Sequence, residues 1–92
     1  MKSRDLRFAL QWLEKAQHDI ITAAHVLAMP DGPTDTPCFH AQQAVEKVLK
    51  GLLTAHSVRF ERVHDLLPLL DAAEPFVPAL GNERHVVAEL SE

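Results

Sequence analysis

Apolar residues along the first third of the chain recur at Leu6, Leu10, Leu13, Ile20, Ala24 and Leu27, with Gln17 filling the one polar step. The spacing alternates by four and three, which predicts a helix from Ser3 to about Ala28 carrying the seam of an antiparallel hairpin or bundle. Residues 29–35 hold two prolines and a glycine and read as the connecting loop. A second helix is predicted from Pro37 to about His56, with Thr36 as N-cap and Pro37 at the first helical position, where its missing N–H removes no hydrogen bond. Its apolar positions, Ala41, Val45, Val48, Leu52 and Ala55 with a second row at Leu49 and Leu53, form a stripe wider than one partner helix needs. A third helix is predicted over Asp65 to Ala73, with Pro68 in its first turn, so that His64 stands at its N-terminus. Pro78 then opens a fourth, from Ala79 to Glu92. Strand patterns are missing, so the expected fold is all-α: a small antiparallel up-down helical bundle of about four helices, one domain over residues 1–92.

Composition narrows this only a little. A chain of 92 residues with 47% apolar content suits one folded domain near the lower size limit for a self-sufficient core, which favours pairing with another chain. The net charge of −4 is unevenly spread: residues 1–64 carry eight Lys or Arg against seven acids, and residues 65–92 one against six. A general nucleic-acid coat is excluded on that balance. The single cysteine forms no internal disulfide, and neither a signal-peptide pattern nor a membrane-length apolar run is present, which makes a reducing cytoplasm the expected location. Cys38 reads as a small buried or half-buried hydrophobe. His18, His25, His40, His56 and His85 lack zinc-type spacing, so neither a metal nor a cofactor is expected. Gln17, Gln42 and Gln43 beside the apolar seams read as an amide network fixing helix register.

The run Phe39-His40-Ala41-Gln42-Gln43-Ala44-Val45-Glu46-Lys47, then Lys50, then His64-Asp65-Leu66 and Leu69-Leu70, closely resembles the HEPN domain (higher eukaryotes and prokaryotes nucleotide-binding). Trp12-Leu13 and Ala16-Gln17-His18-Asp19 resemble that family's first helix, so the resemblance covers residues 8 to about 75. It implies a helical bundle that commonly forms homodimers, whose members include ribonuclease toxins and partners of minimal nucleotidyltransferases. It also implies a longer final helix than this chain has, hence a chain shortened at its C-terminal end.

Arg59 and His64 match the Arg-x4-His spacing that marks the ribonuclease site in that family. The chemistry is intelligible from the residues. Metal-independent RNA cleavage needs a base for the 2′-hydroxyl proton and a fixed cation for the charge building on phosphorus. Imidazole suits the first task and a guanidinium the second. Arg62, Lys47 and Lys50 add a candidate basic rim for substrate, against the plainer reading of helix-surface ion pairs. Two departures from the family pattern bear on activity. The residue after the arginine is Phe60 where catalytic members are usually polar, and the position two after the histidine is Leu66 where some members carry a tyrosine that is modified. With no tyrosine in the chain, such a modification is impossible here. The sequence therefore favours a dimeric binding subunit for nucleotide or RNA that partners a nucleotidyltransferase in a toxin-antitoxin-like pair. An endoribonuclease using Arg59 and His64, and a purely structural dimer, are the alternatives.

Overall fold

The computed structural model describes residues 3–60 and 65–91. Helix α1 (Ser3–Leu27) and helix α2 (Asp35–Ala55) lie side by side, antiparallel, and a short helix α3 (Leu66–Ala73), a 3₁₀ turn (Pro78–Glu83) and helix α4 (Arg84–Leu90) pack across one end of α2. Among the described residues every regular element is helical, and no helix is long and apolar enough to cross a membrane.

The apolar core belongs to α2, α3 and α4. Leu49 and Leu53 meet Leu66, Leu69, Leu70 and Ala73, with Val87 closing the cluster. Leu53, Leu66, Leu69 and Leu70 are fully buried, and each such side chain contributes about 1.5–3 kcal/mol.

Helix α1 contributes no leucine to that core. Its leucine row was expected to be the seam, and this is corrected by the structure. Leu6, Leu10, Leu13, Ile20 and Leu27 are all exposed, Leu27 by 67%, and so is Gln17, which therefore takes no part in a buried amide network. The residues of α1 that are not exposed are Asp5, Ala9, Trp12, Ala16, Asp19, Ala23 and Val26. They follow the same alternation of four and three, displaced by one position, which is about 100° around the helix. Small side chains decide between the two rows. Ala9, Ala16 and Ala44 are buried, and a Cβ added at Gly51 of α2 would meet the Trp12 Cβ at 3.3 Å, the Ala9 carbonyl oxygen at 3.4 Å and, from the edge of the leucine row, Leu13 Cδ2 at 3.5 Å. Leucines on that line would hold the helices apart.

Within this close seam sits a polar link. The Asp19 carboxylate accepts a hydrogen bond from His40 Nδ1 at 2.9 Å on one oxygen and from Lys47 Nζ at 2.5 Å on the other. Burial by itself would raise the Asp19 pKa, but the hydrogen bonds from Lys47 and His40 outweigh it and hold the carboxyl below its ordinary value.

Helix boundaries differ from expectation in three places. α2 starts at Asp35, so Pro37 is its third residue; an N–H there has no intrahelical acceptor, so proline is as well tolerated as at the first position. Thr34, not Thr36, stands at the N-cap, without a side-chain cap. The predicted last helix is divided, its first part being the 3₁₀ turn that holds Gly81 and Asn82, both weak helix formers. Cys38 is exposed on the first turn of α2 rather than buried.

Two outcomes follow for stability. Gly51→Leu should lower it by about 2 kcal/mol or more, since overpacking a tight interface typically costs 1–3 kcal/mol, read as a fall in the urea midpoint. Because the Asp19 pKa is depressed in the folded state, its contribution is complete above the unfolded carboxylate value near 4 and is lost as pH falls through the lower folded value. Urea melts of wild type and Asp19→Asn between about pH 7 and pH 3 should therefore show a shallower acid-side decline in the variant.

Candidate functional site

The segment that follows α2 is set by its last turn. Ser57 adopts a left-handed conformation at φ 58°, its N–H donates to the Thr54 carbonyl, and the Val58 N–H reaches back to the Leu53 carbonyl at 2.9 Å. This closes the helix with paired bonds of the kind usually made with glycine, and brings Val58 against Leu53 in the core. The Ser57 hydroxyl donates to Asp5 at 2.5 Å and ties the turn to the first turn of α1.

From that fixed turn the chain runs past Arg59 and Phe60, which part ways. Phe60 packs half-buried against the leucine core, its ring 6.3 Å from that of Trp12 at 62°, an edge-to-face arrangement. The Lys50 ammonium lies 5.4 Å from the Trp12 ring centre and 5.8 Å from that of Phe60, and donates to Glu46 at 3.1 Å. Both charged side chains are almost wholly buried, at 7% and 5% exposure. Arg59 is exposed and lines a polar hollow of about 310 Å³ with Arg4, Asp5, Thr54, Ser57 and Val58. Thr54 also borders a second hollow of about 280 Å³, lined by Phe8, Gln11, Trp12 and Lys15.

The structure thus distributes the expected site residues. Arg59 is at the surface. Lys50 is buried on Glu46, and Lys47 is held by Asp19 on the seam with α1. Neither lysine lines the hollow around Arg59. Arg62 and His64 lie outside the described residues. Asp65 precedes α3 in an extended conformation without capping it through its side chain. Leu66, the position of the family's tyrosine, is 1% exposed in the core, so it offers no accessible group to a modifying enzyme.

Arg4 is the residue that sequence reasoning missed. It joins Arg59 because an antiparallel hairpin sets the start of α1 beside the end of α2, a consequence of the topology rather than of any local motif. The two guanidinium groups are suited to hold a phosphate, while the Asp5 carboxylate lines the same hollow and both hydroxyls already donate, Ser57 to Asp5 and Thr54 to the Lys50 carbonyl.

A family model described as HEPN domain matches residues 9–92. No curated protein and no solved structure is similar enough to this chain to be matched.

Phe60→Ala should cost about 1–3 kcal/mol, below the 3–5 kcal/mol of a fully buried phenylalanine because the ring is only half-buried, and should change the emission of Trp12. Arg59→Ala, at the surface, should stay within about 0.5 kcal/mol of wild type in the same thermal melts.

Proposed function

This chain belongs to the HEPN family, and from that premise we propose that it is a dimeric, non-catalytic subunit that holds a nucleotide or RNA for a minimal nucleotidyltransferase in a toxin-antitoxin-like pair. The observation that carries this reading is the direction of Phe60. Where a ribonuclease of this type would place a polar side chain beside its arginine, this chain has a ring turned into the core against Trp12. That ring anchors the loop and contributes no hydrogen bond to a phosphate. The arginines at the surface, Arg4 and Arg59, serve binding.

Dimerisation is supported by the leucine row of α1. Isolated exposed leucines are ordinary, but a whole helical row of them is a patch that a monomer seldom leaves in water. Through Ile20 it continues into an apolar groove of about 420 Å³ bordered by Val45 and Val48 of α2 and Val86 and Leu90 of α4. The row is also nearly palindromic. Reversed against a second copy it sets Leu6 opposite Leu27, Leu10 opposite Ala24, Leu13 opposite Ile20, and Gln17 opposite itself, which is what a two-fold interface requires. Gln17 is then the single polar position that fixes register.

The ribonuclease reading keeps one observation in its favour, the exposure of Arg59 next to a second guanidinium in a hydroxyl-lined hollow. In that reading His64 takes the 2′-hydroxyl proton while Arg59 steadies the phosphorane.

Light scattering at micromolar concentration should give a dimer for wild type and a monomer for the double variant Leu13→Glu, Ile20→Glu. Wild type should leave a mixed RNA intact in EDTA, and incubation with the nucleotidyltransferase and ATP should leave the intact mass unchanged. RNA cleavage that disappears in His64→Ala, with the melting curve unaltered, would replace the binding subunit by the enzyme.

A further inference from the structure

Besides the small-residue seam and the leucine row, α1 carries a third row. Arg4, Phe8, Gln11 and Lys15 recur by four, three and four on the flank of the seam away from the leucines. Over eleven residues this row is about 16 Å long, the axial length of roughly five nucleotides at 3.4 Å each. Its two hollows meet at Thr54: one is cationic, with Arg4 and Arg59, and the other presents aromatic surface from Phe8 and Trp12 beside Lys15. Phe8 is 44% exposed although it belongs to no apolar cluster, and the Lys15 ammonium stands 5.4 Å from the Trp12 ring centre.

We propose that this flank of α1 is a single-strand nucleic-acid groove in which Arg4 and Arg59 hold a phosphate while the adjoining base stacks on Phe8 at the edge of Trp12. The inference rests on the binding reading above and adds to it a location, a direction and a stacking residue. Stacked bases need an exposed aromatic face with a cation nearby for the backbone, and this flank supplies both within one continuous surface. A duplex has its bases already stacked within itself and offers none to Phe8. An acidic peptide would be drawn by the same cations but has no use for Phe8. The Asp5 carboxylate, which accepts from the Ser57 hydroxyl, lines the same hollow, so a phosphate there is held by two guanidinium groups against one carboxylate.

Trp12 is the only tryptophan and the chain has no tyrosine, so its emission reports directly on this groove. Titration of the full chain with a uridine RNA oligomer of about eight nucleotides should quench Trp12. Phe8→Ala should weaken binding by about five-fold or more, the lower limit for one stacked base. Arg4→Gln should flatten the dependence of log affinity on log salt by about 0.7, the value for one phosphate contact on a single strand. Arg7→Gln, an equal charge change at an exposed position outside both hollows, should match wild type. If wild type binds the oligomer and Phe8→Ala and Arg4→Gln bind as tightly, the groove is overturned while the binding reading stands. Equal affinity for polyglutamate also overturns it. Wild type that binds a nucleotide but no RNA overturns the groove alone, and wild type that binds neither overturns the groove and the binding reading together.

Discussion

Gly51 of α2 lies so close to α1 that a Cβ there would press on Trp12 at 3.3 Å, and this approach governs the rest of the structure. Two helices in contact through alanine and glycine bury little apolar area per turn, yet their backbones come near enough for polar side chains to bridge them directly. Asp19 needs no long reach to meet both His40 and Lys47. A buried carboxylate with one partner removed would be strongly unfavourable, so the link also fixes register: sliding α1 by one turn would take Asp19 away from His40 and Lys47.

The same approach explains why two lysines that look like a basic rim are not one. Lys47 falls on the seam and is drawn to Asp19, whereas Lys50, three residues on, falls beneath Trp12 and Phe60 and is neutralised by Glu46. With both ammonium groups held by carboxylates, the cations that line the hollow at the end of α2 are, among the described residues, the guanidinium groups of Arg4 and Arg59. Arginine is the better suited of the two cations to planar, two-pronged recognition of phosphate.

Much of this was legible in the sequence, and the exceptions have physical causes. The extents of α1, α2 and α3 follow from apolar spacing and prolines to within a residue or two. The face that α1 turns to α2 did not, because two rows with identical spacing run along it one position apart. Hydrophobicity selects the leucines, but packing selects the alanines, since the partner helix presents Gly51 at the contact. Only the pairing of small residues on both helices would have signalled this. Arg59 was legible as a candidate site cation from its spacing to His64, whereas its neighbour Arg4 is more than fifty residues away in sequence and becomes a neighbour through the hairpin alone.

A helix with three distinct rows can serve three purposes only if they do not obstruct one another, and α1 arranges them in order around its circumference. The seam with α2 lies in the middle, the leucine row on one flank and the row of Arg4, Phe8 and Lys15 on the other. A second copy seated on the leucines would leave the cationic flank of each protomer open to solvent. The two-fold axis would then turn the two flanks away from each other, so the protomers would present two separate binding surfaces rather than one shared cleft. That geometry fits a subunit that holds its ligand better than one that assembles a catalytic centre from both copies, and it connects the burial of Phe60 to the same conclusion. The Phe60 ring lies half-buried against the core and edge-on to Trp12.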